Sequence, residues 1–351
     1  FHIELDGGGG DLAGIVDGLC IRDVPAGFGI DQRVQALQVL PGVASQLLGR
    51  LARQPGVGLP GARGDLVRVV VPSPHRVQPR CDLFGECGGC QYQNLAYPQQ
   101  LEWKQKQVAE AFERLGGIKT KVDACHPSPK QYGYRSKITP HFMTPRRADF
   151  PIGFLAAGTS RRVVDVPKCP IATDAINSAL ARSRKDIKSN PGRFERGATL
   201  LFRDCEEGVV TDSRQVVTEK VGAVQLKFLA GEFFQNNPSV LEQFVGHAIK
   251  LAHESGAKHL VDTYCGSGLF ALSGARLFDS VNGIEVSAEA ARKAAENATL
   301  NHFLNCRFIA GSAESIFKKI PVEGSESAVI VDPPRKGCDE AFLDQLDAFS
   351  P

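Results

Sequence analysis

Four short apolar runs separated by helical stretches constrain this chain more than any other feature. His259–Asp262, Val281–Glu285, Cys306–Ile309 and Ala328–Asp332 recur after Gly231 with helical segments between them. That alternation is the signature of parallel βαβ units in a doubly wound α/β sheet. Upstream the texture is different. Residues 120–230 alternate short β-like runs, among them Tyr134–Thr139 and Arg162–Val166, with basic turns. Tyr97–Leu115 carries Leu101, Val108, Ala111, Phe112 and Leu115 at helical spacing and stops at Gly116-Gly117. Residues 1–75 are rich in Gly and Val, with β-like runs at Phe1–Leu5 and Asp65–Val71 and a helix-like stretch at Val34–Arg53.

With 351 residues, the chain is long enough for two or three domains. No apolar run approaches the ~20 residues of a membrane-spanning helix, and the acidic, Gly-rich start has neither a signal-peptide nor a transit-peptide pattern. An intracellular protein is expected, with cytosol, nucleus and mitochondrion all open. A net charge of +2 permits nucleic-acid binding without demanding it.

The first apolar run leads into Tyr264-Cys265-Gly266-Ser267-Gly268-Leu269-Phe270 and then a helix. A glycine-rich turn between strand and helix lets the backbone approach a ligand with no Cβ in the way. Glu285 stands 19 residues after Gly266, at the end of the next strand, where a carboxylate can accept both ribose hydroxyls. Spacing alone therefore implies a nucleotide-like ligand, against the plainer reading of a tight turn with a capping carboxylate. The third glycine of the dinucleotide fingerprint is missing. The fourth run ends in Asp332-Pro333-Pro334-Arg335, a rigid turn at the ligand-binding edge of the sheet. Both features favour S-adenosylmethionine over NAD. Arg335, in place of an aromatic side chain, argues against chemistry on an exocyclic amine.

Cysteine is the second signal. Cys81-x5-Cys87-x2-Cys90 brings three thiols into one Gly-rich loop and calls for a fourth from elsewhere. The spacing accepts zinc as readily as an iron–sulfur cluster, and structural thiols with no metal are the bland reading. Cys20, Cys125, Cys205, Cys265 and Cys306 lack such company and read as small hydrophobes.

Taken together, Phe233-Phe234-Gln235-Asn236-Asn237, Tyr264-Cys265-Gly266-Ser267-Gly268, Gly283-Ile284-Glu285 and Asp332-Pro333-Pro334-Arg335-Lys336-Gly337 resemble the motif series of the RNA 5-methyluridine (uracil-C5) methyltransferases. The resemblance covers roughly residues 64–351 and is nearest to the fungal tRNA type. It implies S-adenosylmethionine contacts at Gln235, Tyr264, Glu285 and Asp332. Gln235 and Asp332 would lie near the methionine end or reacting centre, Tyr264 by the cofactor and Glu285 on the ribose. Leu269 and Ser312 depart from the family pattern, and their contacts are not carried over. The loop Cys81–Gln93 resembles the family's cluster loop, and Cys169 in Lys168-Cys169-Pro170-Ile171 matches its fourth ligand. The resemblance thus implies a [4Fe–4S] cluster on Cys81, Cys87, Cys90 and Cys169. Tyr132–Lys137 and Thr159–Arg162 mix aromatic, hydroxyl and basic groups that can stack on splayed bases and bind phosphate.

The expected architecture is a TRAM-like β-barrel remnant at 1–78, an α+β RNA-binding domain with the iron–sulfur loop at 79–228, and a Rossmann-like methyltransferase domain at 229–351. Helix 97–115 is a candidate to pack on that last domain. The expected activity is methylation of uracil C5 in the T-loop of tRNA, with tRNA favoured over ribosomal RNA and no stable protein partner implied. The rival reading is a tRNA-binding or tRNA-folding protein that keeps the fold without the chemistry. Uracil C5 becomes nucleophilic only after a thiolate adds to C6, and a base must later remove the C5 proton. The resemblance puts that Cys and its Glu base beyond Pro351, leaving the methyltransferase domain incomplete at its C-terminus and this chain inactive by itself. Cys338 falls in the helical region after the Asp-Pro-Pro turn and is not expected to replace the nucleophile.

Overall fold

The computed structural model describes residues 69–351 apart from 146–148, 312–316 and 335–336, together with three short strands near the N-terminus. The chain divides into two compact units, Phe1–Phe84 with Cys90–Cys125, and Gly85–Gly89 with His126–Pro351. The expected boundary at 228/229 falls inside the second unit.

In the first unit, β1 (His2–Asp6) pairs antiparallel with β2 (Val16–Asp17) and parallel with β3 (Cys20–Arg22). The rest of the expected barrel, including Val34–Arg53 and most of Asp65–Val71, lies outside the described residues. Helix α1 (Tyr97–Gly116) starts with proline in its first turn and ends at Gly117, whose N–H bonds the Phe112 carbonyl. None of its residues is buried. Its apolar stripe therefore marks the helical period without making α1 a core element.

The second unit begins with small antiparallel sheets. Strands β4 (Lys137–Ile138), β5 (His141–Phe142), β6 (Gly153–Leu155) and β7 (Val163–Asp165) precede helix α2 (Asp174–Ser189). After α2 come β8 (Ala198–Thr199), β9 (Phe202–Cys205) and β10 (Gly208–Val210). One sheet runs β10-β9-β4 and another β7-β6-β5-β8. The Thr173 hydroxyl caps α2 by accepting the Ile176 N–H. Ile176, Ala179, Leu180 and Ile187 put one face of the helix in the core. A hairpin of β11 (Val216–Val221) and β12 (Val224–Leu229) then leads to helix α3 (Pro238–Glu254).

The expected α/β alternation follows as β13 (His259–Asp262), α4 (Leu269–Gly274), β14 (Ser280–Glu285), α5 (Ala288–Leu300), β15 (Cys306–Ala310), β16 (Ser327–Ile330) and α6 (Glu340–Phe349). The four strands form one parallel sheet in the order β15-β14-β13-β16. The chain steps outward from β13 to β15 and then returns to the other side of β13. That reversal opens a crevice beyond the carboxyl ends of β13 and β16, where ligands of doubly wound sheets bind. Leu260, Val261 and Val281 are fully buried and Ile284 nearly so, as strands covered on both faces require. Among the described residues no helix is long and apolar enough to cross a membrane.

Candidate cofactor site

The turn after β13 is shaped by its own backbone. Gly266 and Gly268 have φ of 53° and 97°, and Gly268 caps α4 from the left-handed region. A Cβ on Gly268 would lie 3.0 Å from Leu272 and 3.4 Å from Ala294, so conformation and space both require glycine there. Hydrogen bonds to two neighbouring strands and one within the turn hold it in place. The Cys265 N–H donates to the Ile284 carbonyl at 3.0 Å, the Thr263 N–H and hydroxyl both donate to the Ile330 carbonyl, and the Gly268 N–H donates to the Cys265 carbonyl.

Glu285 sits where the spacing puts it, at the carboxyl end of β14, and it is part of the turn. One carboxylate oxygen accepts the Gly266 N–H at 3.0 Å and the other accepts the Ser287 N–H at 2.9 Å. Each oxygen keeps a lone pair for a further donor. The carboxylate can therefore shape the turn and still receive a diol.

Asp262, at the end of β13, was not singled out from the sequence. It is completely buried, with one oxygen accepting the Ala271 N–H at 3.0 Å and the other without a partner. Burial, together with the nearby Asp332 and Glu285 carboxylates, pushes its pKa up to about 7. Burial also raises Asp332 above the ordinary carboxylate range. Three carboxyl groups thus share one edge of the sheet, and a cation placed among them would relieve their mutual repulsion.

Tyr264 packs against Phe342 of α6. Its hydroxyl donates to the Cys338 sulfur at 3.7 Å, and its ring lies 5.6 Å from Phe342. Burial and the Cys338 contact push its pKa up to about 12. Gln235 lies half-buried in the segment joining β12 to α3. Of the four expected cofactor residues, Glu285 and Asp332 share the field around Asp262, and Tyr264 packs on α6 behind the turn. The described hydrogen bonds do not link the Gln235 side chain to any of these three. Ser312, Arg335 and Lys336 lie outside the described residues.

Asn297 is a second residue the sequence reading missed. Its buried amide donates to the Lys227 and Ser267 carbonyls, both at 3.0 Å, and accepts the Lys227 N–H at 2.8 Å. It fastens the glycine turn to β12 from α5. A lone Asn at a helical interval carries no local signal for that role.

The cysteine loop is built differently from expectation. Within the second unit, Cys87 bridges to Ala156, the Gly88 N–H donates to the Leu155 carbonyl and the Ala157 N–H to the Glu86 carbonyl. Glu86 also pairs with Arg162 at 2.7 Å, so that arginine is engaged by the loop. The Cys169 backbone exchanges two hydrogen bonds with the Asn177 side chain. In the first unit, the Cys81 N–H donates to Gln93 at 3.1 Å. Among the described residues no group of three or more His, Cys, Asp or Glu side chains is gathered closely enough to hold a metal ion. The four-thiolate set expected of Cys81, Cys87, Cys90 and Cys169 is therefore not assembled in this structure. Backbone pairing and the Glu86–Arg162 ion pair are among the contacts that hold the loop. Elsewhere burial pushes the thiols of Cys205 and Cys306 up to about 12 and 11, as for small hydrophobes.

Comparison with known proteins finds a matching family and similar chains. Residues 205–350 match the family described as tRNA (Uracil-5-)-methyltransferase. The tRNA (uracil(54)-C(5))-methyltransferase of Schizosaccharomyces pombe is 43% identical over 315 residues, covering 83% of this chain and 59% of that protein. The Saccharomyces cerevisiae protein of the same name is 35% identical over 359 residues, covering 82% of this chain and 56% of its own length. This chain thus spans somewhat over half the length of those relatives. A Pyrococcus abyssi tRNA (uracil-54, C5)-methyltransferase, solved with S-adenosyl-L-homocysteine, shares the fold with a TM-score of 0.61 at 23% identity, over 84% of this chain and 78% of that one.

Proposed function

We propose that this chain, whose residues 205–350 match the tRNA (Uracil-5-)-methyltransferase family, transfers a methyl group from S-adenosylmethionine to C5 of the T-loop uridine of tRNA. The observation that carries the reading is the glycine turn locked to Glu285 beside two carboxyls of raised pKa. Glu285 receives the ribose diol. The turn backbone, free of Cβ atoms at Gly266 and Gly268, lets the nucleoside lie close. Asp332, with Asp262 behind it, faces the positive sulfonium and methionine end. Tyr264 flanks the donor, and Gln235 stands at the reacting centre. S-adenosylmethionine supplies the electrophilic methyl when bound.

The other half of the reaction needs a thiolate that adds to C6, so that C5 becomes an enolate carbon able to attack the methyl. A base then takes the C5 proton and elimination restores the thiolate. Cys338 is not cast in that role, because its sulfur is occupied by the Tyr264 hydroxyl behind the turn. In cells of the source organism that lack the gene, the T-loop position should carry uridine in place of 5-methyluridine, and the wild-type gene should restore the modification. Mass spectrometry of nuclease-digested tRNA reads this directly. Undiminished 5-methyluridine at that position would overturn the assignment and leave the rival reading of a tRNA-folding protein.

The cysteine reading rests on the spacing and resemblance of the loop. A [4Fe–4S] cluster on Cys81, Cys87, Cys90 and Cys169 would require the loop to close around it, as metal binding commonly organises its own ligands. Anaerobically purified protein should then be brown and contain about four irons and four sulfides per chain. A colourless, zinc-loaded or metal-free preparation would reject the cluster.

A further inference from the structure

The segment Ala230–Asn237, which carries Gln235, is held by two cations on adjacent strands. Arg203 of β9 is fully buried. Its Nε donates to the Ala230 carbonyl at 2.8 Å and one terminal nitrogen donates to the Glu232 carbonyl at 2.6 Å. Its guanidinium lies 5.0 Å from the Phe228 ring centroid, and Phe228 stacks on Phe234 at 4.4 Å. Lys137 of β4 is the cross-strand partner of Arg203. Its ammonium donates to the Gly231 and Glu232 carbonyls, each at 2.8 Å. Next to Lys137, the Ser136 N–H donates to the Asn236 carbonyl at 2.9 Å, one residue from Gln235.

Like charges directly opposite each other on paired strands are unfavourable, and a buried guanidinium is costly to desolvate. Mere satisfaction of three carbonyls would not call for this arrangement, since the Lys137 side of the segment is half-exposed and water could serve there. What the two cations add is a fixed path for Gly231–Asn236 between the hairpin and α3. We propose that Lys137 and Arg203 are positioning residues that clamp this segment so that Gln235 meets the bound donor, an inference that rests on the cofactor-site reading above. The basic run Tyr134-Arg135-Ser136-Lys137 then serves the interior as well. Its last two residues hold the donor-binding segment, whatever RNA contact its other residues make.

Titration supplies a readout that a purely structural role would not move. Burial, then the facing charges of Arg203 and Arg135, lower the Lys137 pKa to about 8 against the opposing pull of Glu232. Of the groups facing Arg203, burial lifts the Glu219 carboxyl to about 7. Loss of the ammonium above about pH 8 should loosen the clamp.

The test is calorimetric titration of S-adenosylmethionine into the chain and its Lys137→Met, Lys137→Arg and Gln235→Ala variants. Lys137→Met should weaken binding about tenfold and Lys137→Arg should restore most of it. Wild-type affinity should fall more steeply than that of Lys137→Met as pH rises through about 8. Gln235→Ala should weaken binding at every pH. If Gln235→Ala weakens binding while Lys137→Met binds like wild type with the same pH profile, the clamp is refuted and the site reading stands. If Gln235→Ala binds like wild type, the placement of Gln235 fails and the clamp falls with it. The donor's α-amino group also titrates at about pH 8, so the clamp is read from differences between chains. Lys137→Arg, which keeps its charge, should show a shallower fall than wild type, and an identical fall in the two would refute the clamp even if Lys137→Met folds poorly.

Discussion

Glu285→Ala should weaken S-adenosylmethionine binding about ten- to a hundredfold, or about 1.4–2.7 kcal/mol. Two losses add in this variant. The ribose diol loses a charged acceptor, a contact worth about 1.5–3 kcal/mol when made to an ionised group. The Gly266 and Ser287 N–H groups also lose the carboxylate that now fixes the turn. Glu285→Gln separates the two effects, since the amide oxygen can still accept one N–H but the charge is gone. Asp332→Ala should weaken binding less, because Asp332 is only partly buried and solvent screens its charge more than that of Glu285. Calorimetric affinities for the three variants decide the matter: unchanged binding in both Glu285→Ala and Asp332→Ala would remove the cofactor-site assignment.

Phe342→Ala should lower the stability of the second unit by about 3–5 kcal/mol, the usual cost of emptying a buried aromatic site. Phe342 is fully buried at the centre of a cluster with Val261, Ile284, Phe317 and Ile320. Its ring lies 5.6 Å from Tyr264 and 5.9 Å from Phe317. Helix α6 therefore packs behind the cofactor turn through Phe342, flanked by Leu346 and Phe349, and the cavity would open beside Tyr264. Urea midpoints at constant slope would measure the loss. A change below about 1 kcal/mol would mean that α6 is not an integral part of the sheet's packing. Donor affinity should fall together with stability, because Tyr264 loses the surface that orients it.

The site was legible where its chemistry is local. Gly266, Gly268 and Glu285 are readable because a strand–turn–helix junction that admits a nucleoside needs glycine at fixed places and an acceptor one βα unit later. The fold bonds Glu285 to the Gly266 N–H of the turn and to the Ser287 N–H. The Asp-Pro-Pro turn was legible for the same reason, since its rigidity lies in two adjacent prolines. Asp262, Asn297, Arg203 and Lys137 gave no such signal. Each acts on a segment distant in sequence, such as Asn297 on Ser267 or Lys137 on Gly231.

The cysteine loop is a different case. Its spacing is a strong local pattern, yet the fold divides its residues between two units and no set of three ligands is gathered among the described residues. Spacing can say which thiols are able to meet. Whether they do depends on how distant backbone segments pack around them and on the ion itself.

The sequence by itself determined the parallel α/β sheet, the order of its strands along the chain, and the glycine turn with its carboxylate. These follow from period, turn chemistry and spacing within a few tens of residues. Tertiary structure alone decided that β16 lies beside β13, bringing Asp332 into the field of Asp262 and Glu285. It also decided that Lys137 faces inward to the Gly231 carbonyl. The reason is physical: a carboxyl's pKa and a lysine's partner are set by which surfaces are buried together, and burial is a property of the packed chain rather than of any segment in it.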